Sequence, residues 1–304
     1  MGSHFGILVV ALVVTVLAVA VGGLSLLSVL PVLWPQLRGS SVARAPSPPT
    51  VRPAATARPR ATVVYPQTPA GGAFRLTFDE NAFPAEYFEE KGLPDYAEYW
   101  DSRLVAGRVK VRGGKVRIAS MAADWDGTRF TSGGVASLAF TGYGDYTFRL
   151  KASAMPGVVT ALYLYNETKD LSLGGRHEEI DVELSGALHP GKASIVSYHN
   201  APAGVSDDTG TDQFAGGIMD LRRFSGLQRF NAAVFNTYHI RYRPGEIVWR
   251  VNGREVYRTR RAVPAAPMQL HFDTYHNVGW DDFTTTPPEG AGAAELDSLS
   301  FTPL

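Results

Sequence analysis

Residues 179–184 alternate acidic and apolar side chains, in the order Glu-Ile-Asp-Val-Glu-Leu. Side chains of a β-strand point alternately to its two faces, so this period of two predicts a strand with one acidic and one apolar face. Glu179, Asp181 and Glu183 then share one face, where their negative charges repel one another. A purely structural strand has no reason to tolerate that repulsion, so the pattern indicates a chemical use for the three acids.

Glycosidases need two carboxyl groups on one surface, one to give a proton and one to attack the sugar. Residues four apart on a strand have Cα atoms about 13 Å apart. Inward-leaning side chains at Glu179 and Glu183 bring their carboxyls to about 5–5.5 Å, the separation of retaining enzymes. Asp181 lies between them, close enough to share a proton with either. A solvated acidic strand face is the alternative, and the spacing alone leaves it open.

The flanking residues extend this pattern. The stretch 177–186, HEEIDVELSG, resembles the active-site strand of glycoside hydrolase family 16, which has a Glu-x-Asp-x-Glu core followed by a Gly. It lacks the residue that laminarinases and agarases insert before the last Glu, so it is more similar to the lichenases and xyloglucan transglycosylases. The resemblance implies that Glu179 is the nucleophile, Glu183 the acid/base and Asp181 an assisting carboxylate.

Other segments resemble the same family in the same order. They are 143–149 (YGDYTFR), 157–165 (GVVTALYLY) and a late hairpin formed by 236–245 (NTYHIRYRPG) and 248–257 (VWRVNGREVY). Thr147 stands where the family usually has a sugar-contacting glutamate, and His177 where lichenases tend to have a Trp. Tyr242 replaces a usual Trp in the late hairpin, a mild change if that position is in the core. These departures concern the identity of the substrate more than the type of reaction.

A glycan cleft needs flat aromatic faces and polar groups. Tyr163 and Tyr165 share a strand face just before the acidic strand, although core packing is the alternative for both. The stretch 273–283, DTYHNVGWDDF, resembles the family's late cleft loop, in which Tyr275 takes a stacking position usually held by Trp. The predicted substrate contacts are Arg149, Tyr163, Tyr165, His177, Tyr198, Asn200, Tyr275, Trp280 and Phe283.

No metal or other cofactor is expected at this site. His177, His199 and His276 fit none of the compact zinc-ligand spacings. Structural calcium occurs in the family, but no oxygen-rich loop identifies a calcium site in this chain. The acidic stretch 207–212 is better explained as a solvated surface loop.

The N-terminal part has a different composition. Residues 5–34 contain no charge and exceed the roughly 20 residues that span a bilayer, so residues 1–34 are predicted to be a transmembrane anchor. Cleavage near Ala45, which would release a secreted protein, is the alternative. Residues 35–70, rich in Pro, Ala, Ser and Thr, are predicted to be a disordered stalk. Arg38, Arg44 and Arg52 favour a cytoplasmic domain by the positive-inside rule. The stalk and the predicted active site favour an extracytoplasmic domain, which is the placement we predict.

Residues 71–304 are predicted to form one all-β domain, a β-jelly-roll sandwich of two antiparallel sheets. Alternating segments on either side of Gly113-Gly114 predict a hairpin, and Gly245 and Asn252-Gly253 mark further turns. The zero net charge gives no reason to expect nucleic acid as a partner. The absence of cysteine excludes disulfides.

The sequence therefore predicts a membrane-anchored, retaining, endo-acting glycoside hydrolase whose partner is a β-glucan-type polysaccharide. Two alternatives stay open. A transglycosylase that remodels a cell-surface glycan would use the same acids with a sugar hydroxyl in place of water. A non-catalytic glycan-binding module on the same fold would not need a matched pair of acids.

Overall fold

The computed structural model describes residues 73–79, 82–91, 102–105, 107–125, 128–168, 176–202, 213–276 and 290–304. The predicted anchor (1–34) and stalk (35–70) lie outside these ranges, as do Trp280, Phe283 and the acidic stretch 207–212. Within the described ranges, no helix is both long enough and apolar enough to cross a bilayer.

The described chain is built almost entirely of β-strands. They are β1 (Phe74–Thr77), β2 (Phe88–Lys91), β3 (Arg103–Leu104), β4 (Val109–Val111), β5 (Val116–Trp125), β6 (Thr128–Ser132), β7 (Gly134–Thr141), β8 (Gly144–Lys151), β9 (Val159–Thr168), β10 (Arg176–Leu184), β11 (Lys192–Pro202), β12 (Phe214–Asp220), β13 (Asn236–Arg243), β14 (Glu246–Val251), β15 (Arg254–Thr259), β16 (Met268–Tyr275) and β17 (Ala291–Pro303). A short 3₁₀ helix, Leu221–Arg223, follows β12.

The strands form two sheets, which confirms the predicted all-β sandwich. The larger sheet has the order β15-β14-β13-β8-β17-β5-β6-β3, with β1 paired to β17 and β4 paired to β5. The smaller sheet has the order β12-β11-β10-β9-β16-β7-β2. All pairs are antiparallel except the short β3–β6 pair. The acidic strand β10 therefore lies inside the smaller sheet, with a neighbour on each side.

A single large core fills the space between the sheets. Alternate residues of β8 and β13 in the larger sheet, such as Phe148 and Ile240, pack in the same cluster as Ile180, Val182 and Leu184 of β10. Each of these side chains is almost fully buried, and burial of one large apolar side chain contributes about 1.5–3 kcal/mol. Tyr242 also belongs to this core, as expected for that position.

Glycine-containing turns join the hairpins where the sequence places them. Gly113 and Gly114 both have positive φ, 60° and 68°, between the paired strands β4 and β5. Asn252 and Gly253, with φ of 48° and 79°, form the same kind of turn between β14 and β15. Two consecutive residues with positive φ match the twist of the flanking strands, which explains the preference for Gly and Asn.

Candidate active site

Strand β10 presents its three acids on the face of the smaller sheet that points away from the core. Ile180 and Val182 are buried in the core, so Glu179, Asp181 and Glu183 occupy the opposite face, as the alternation predicts. We call this surface the acidic face. The Asp181 side chain is 3% exposed, whereas the Glu179 side chain retains 21% exposure. The three acids therefore share one surface with different access to solvent.

The position of β10 is held from both sides and from the core. In the register of the sheet, Glu179 lies opposite Tyr165 of β9 and Tyr198 of β11. Across the sandwich, Trp249 of β14 donates its indole N–H to the carbonyl oxygen of Asp181 at 3.1 Å. Beyond the strand, a β-carbon at Gly186 would lie 2.2 Å from the carbonyl oxygen of Ser153, so only glycine fits there.

The electrostatics of Glu179 and Glu183 are coupled. Burial, and then the negative charge of Glu183, raise the pKa of Glu179 from 4.5 to about 8, while a hydrogen bond with Asp181 opposes the rise. Because the two glutamates interact strongly, this raised pKa belongs to the pair. A negative charge on Glu183 therefore favours the protonated form of Glu179.

Tyr275 is a direct partner of Glu183. It ends β16, and its hydroxyl donates to Glu183 Oε1. Burial, together with the neighbouring charge of Glu183, raises the Tyr275 pKa well above its usual value, so the hydroxyl stays protonated and can donate. The ring is only 4% exposed and packs with Val159 and Ala161. The expectation that Tyr275 offers an open stacking surface in a loop is therefore not met, because the residue is part of a buried strand.

Aromatic rings surround Glu179. The His177 ring lies 6.0 Å from Tyr165 and 5.0 Å from Tyr198 between centroids, and its Nε2 is 3.5 Å from Glu179 Oε2. Burial lowers the His177 pKa, which favours a neutral imidazole. Phe214 of β12 packs on Tyr198 at 5.1 Å and extends this group. Sequence reasoning singled out the first three rings and missed Phe214, which lies next to Tyr198 only through strand pairing.

A second polar cluster lies on the same face, and sequence reasoning did not identify most of it. The Tyr163 hydroxyl donates to Asp273 Oδ2 at 2.8 Å and accepts a hydrogen bond from Lys91 Nζ at 3.2 Å. The Tyr163 ring stacks on His271 with 4.8 Å between centroids. His271, Asp273 and Tyr275 alternate along β16 as the acids do along β10, and that period was the signal available in the sequence.

Arg149 is not at this site, which corrects its prediction as a substrate contact. On β8 the side chains of Tyr146, Phe148 and Leu150 point into the core, so Thr147 and Arg149 point outward from the larger sheet. There Arg149 pairs with Asp297 at 2.9 Å. Thr147 lies on the same outer face, so its difference from the family's glutamate removes no contact beside the acids of β10.

Of the remaining predicted contacts, Asn200 belongs to β11 by its backbone, but its side chain lies outside the description, as do Trp280 and Phe283. Among the described residues, no group of three or more His, Asp or Glu side chains is arranged to hold a metal ion.

Residues 100–287 match the sequence profile of the glycosyl hydrolases family 16. A β-glucanase of Acetivibrio thermocellus is 29% identical over 155 residues, which is 51% of this chain and 40% of that protein. A β-glucanase of Bacillus amyloliquefaciens is 25% identical over 170 residues, which is 56% of this chain and 62% of that protein. The matched part therefore spans less than two thirds of each relative.

Solved structures share the fold. A prokaryotic β-1,3-1,4-glucanase (lichenase) derived from a mouse hindgut metagenome has a TM-score of 0.63 and 21% identity, covering 77% of this chain and 100% of that one. The Bacillus licheniformis β-glucanase has a TM-score of 0.64 and 20% identity over the same shares. The family profile covers more than half of the chain and includes the acidic strand. The chain therefore belongs to glycosyl hydrolase family 16, whose members hydrolyse O-glycosyl bonds.

Proposed function

We propose that this protein is a retaining, endo-acting glycoside hydrolase that cleaves a β-glucan-type polysaccharide. The observation that carries the proposal is that Glu179 and Glu183 share one strand face, where the charge of Glu183 contributes to the raised pKa of Glu179. We propose that the two carboxyls together hold one proton near neutral pH. The relatives named β-glucanase and lichenase support a β-glucan as the substrate class. The rings of Tyr165 and Tyr198 beside Glu179 supply flat surfaces of the kind that pack on sugars.

The reaction we propose is a double displacement. In the reactive form Glu183 holds the shared proton and Glu179 is ionised. The Glu179 carboxylate attacks the anomeric carbon, the glycosidic C–O bond breaks, and Glu183 gives its proton to the departing oxygen. Glu183 then takes a proton from water, the water oxygen attacks the anomeric carbon, and Glu179 is released. Two inversions at one carbon leave its configuration unchanged.

The neighbouring groups assist in different ways. Asp181 forms a hydrogen bond with Glu179 and so lowers the proton affinity of the nucleophile. Tyr275 donates to Glu183, which orients the acid and supports its charge after proton transfer. His177, neutral because of burial, forms part of the wall beside Glu179.

The substrate class is tested by incubating the protein with barley β-glucan, laminarin, xyloglucan, agar and carrageenan and measuring product size. An endo-acting β-glucanase shortens the first two substrates to mixed oligosaccharides. Products longer than the substrate would indicate transglycosylation, and retention of glucan without cleavage would indicate a binding module.

The roles of the two glutamates are tested with an activated aryl glycoside and sodium azide. Glu179→Ala should give a glycosyl azide of inverted configuration, because azide enters the space of the missing nucleophile. Glu183→Ala should give the azide with net retention, because the first step still proceeds with a good leaving group. Asp181→Asn should lower kcat about 10- to 100-fold and keep retention. Unchanged polysaccharide hydrolysis by Glu179→Ala would contradict the assignment. Proton NMR of the products gives the configuration.

We also propose that residues 1–34 anchor the enzyme in a membrane and that residues 35–70 hold the catalytic domain outside the cytoplasm. The proposal rests on the uncharged length of residues 5–34, which exceeds the span of a bilayer.

A further inference from the structure

Lys91 is a buried cation on the acidic face. It ends β2, the edge strand of the smaller sheet, and it is 8% exposed. Lysine is rarely buried to this extent unless a partner compensates its charge. Here the partner is Asp273 of β16, 2% exposed, whose Oδ2 lies 3.8 Å from Lys91 Nζ.

The contact crosses an intervening strand. Gly134 of β7 lies opposite Lys91 on one side and opposite Asp273 on the other. A β-carbon at Gly134 would lie 2.9 Å from the β-carbon of Asp273 and 3.5 Å from Lys91 Cδ. Because Gly134 has no side chain, the Lys91 side chain can pass over β7 to reach Asp273.

The lysine also reaches the neighbourhood of the catalytic strand. Lys91 Nζ donates to the Tyr163 hydroxyl, and Tyr163 lies directly opposite Asp181 in the pairing of β9 with β10. Asp273 lies opposite Ala161, which in turn lies opposite Glu183. Neighbouring strands are about 4.8 Å apart, so the backbones of Asp273 and Glu183, two strands apart, are separated by roughly 10 Å.

We propose that Lys91 is a positioning residue of the active site, which fixes Asp273 and Tyr163 and offsets the charge of Asp273 beside the catalytic strand. This inference rests on the proposed function of Glu179 and Glu183. It concerns the pH range over which that site is active.

Five carboxylates lie on this face of the sheet, those of Glu89, Glu179, Asp181, Glu183 and Asp273, and each one raises the proton affinity of the others. The charged and titratable groups that face the pair are His177 and Asp181 on β10, Tyr163 and Tyr165 on β9, Tyr198 on β11, His271, Asp273 and Tyr275 on β16, and Glu89 and Lys91 on β2. The charges of Asp273 and Lys91 act on Glu179 in opposite directions. Removal of the cation alone therefore leaves the charge of Asp273 uncompensated.

A purely structural ion pair is the competing explanation, because replacing both members of a buried pair is often harmless. The two explanations differ in the single variants. If Lys91 acts on the pair, Lys91→Met moves both limbs of the kcat/KM–pH profile to higher pH, by about 0.5–1 unit for a charge roughly 10 Å away. Asp273→Asn moves them to lower pH, because the cation then acts alone.

Two further variants separate charge from packing. Lys91→Met/Asp273→Asn removes both charges and should return the limbs to within about 0.2 unit of the parent profile, even if Lys91→Met is poorly folded. Lys91→Arg keeps the cation and should leave the limbs in place. Lys151→Met is the matched control, because Lys151 pairs with Glu295 at 3.0 Å on the larger sheet.

An NMR titration gives a second measurement, which does not depend on turnover as the kcat/KM–pH profiles do. The full chain, labelled with ¹³C at glutamate side-chain carboxyls, is titrated by NMR, with Glu179→Gln to assign the signals. The midpoint of the pair should rise in Lys91→Met and return in the double variant. Unmoved midpoints in Lys91→Met, or a double variant that stays displaced, would overturn the inference. An inactive parent enzyme whose midpoints still respond would instead count against the proposed function alone.

Discussion

Glu179 combines two requirements that oppose each other in water. Its side chain is mostly buried and lies near Glu183, so its pKa rises to about 8, yet its proposed role as nucleophile requires the ionised form. Sharing one proton with Glu183 resolves the conflict, since ionisation of one member keeps the other protonated. Asp181 stabilises the ionised form of Glu179 by a hydrogen bond. The pKa of Glu179 therefore depends on both of the other acids of β10.

The raised pKa of Glu179 has a consequence for stability. A glutamate with a pKa of 4.5 when unfolded and about 8 when folded binds its proton more tightly in the folded state. Folding is favoured by this group below pH 4.5, and the contribution is lost as the pH rises toward 8. Glu179→Gln removes the proton linkage, so its free energy of unfolding should fall by roughly 3.5 kcal/mol less than that of the parent between pH 5 and pH 8.

Urea unfolding at both pH values measures this difference. Glu86→Gln, at an exposed position before β2, serves as the control and should behave as the parent does. Equal pH dependence in Glu179→Gln and the parent would show that Glu179 titrates normally in the folded protein.

At the scale of elements, β10 is held by packing on one face so that it can carry chemistry on the other. Ile180, Val182 and Leu184 are anchored in the core, and the indole of Trp249 binds a main-chain carbonyl of the strand from the opposite sheet. The three acids of β10 all lie on the smaller sheet, and the larger sheet contacts their strand through the core and through the hydrogen bond of Trp249.

Trp249→Phe tests this contact. The variant removes the indole donor to the carbonyl of Asp181 and creates a small cavity, so we expect the free energy of unfolding to fall by about 2–4 kcal/mol. Because the cavity lies under the acids, kcat should fall as well. Ile247→Val, on the same strand and also in the core, should cost about 1 kcal/mol and leave kcat unchanged. Full activity in Trp249→Phe would show that the packing of β14 against β10 does not determine the alignment of the acids.

At the scale of the whole molecule, the catalytic unit and the N-terminal segment have contrasting compositions. All 29 acidic residues fall after residue 72, whereas residues 5–34 carry no charge. A charged, strand-rich domain and an uncharged apolar segment suit different environments, water and lipid respectively.

Cell fractionation tests the proposed attachment. The full chain should sediment with membranes and a chain lacking residues 1–34 should stay in the supernatant, because the apolar segment is the proposed anchor. Protease added to intact cells should release the catalytic domain. A protected domain would mean that Arg38, Arg44 and Arg52 had kept it in the cytoplasm. A full chain in the supernatant would rule out the anchor.

Local rules predicted a large part of this protein correctly. The period of two along 179–184 identified which side chains share the acidic face, and it did so because alternation is a property of any strand. The turns at Gly113-Gly114 and Asn252-Gly253 were predictable for the same reason, since positive φ at two consecutive residues favours glycine and asparagine wherever the hairpin lies. The family resemblance then added roles for the acids that spacing left open.

Other features depended on which strands become neighbours, and alternation carries no information about that. Arg149 alternates correctly along β8, but β8 joins the larger sheet, so the side chain points away from the acids. Tyr163 and Asp273, 110 residues apart, meet because β9 and β16 pair. Lys91 joins them through the order β2-β7-β16 and a glycine between. Strand order follows from the packing of the whole core, which is why the surroundings of the acids emerge only from the folded chain.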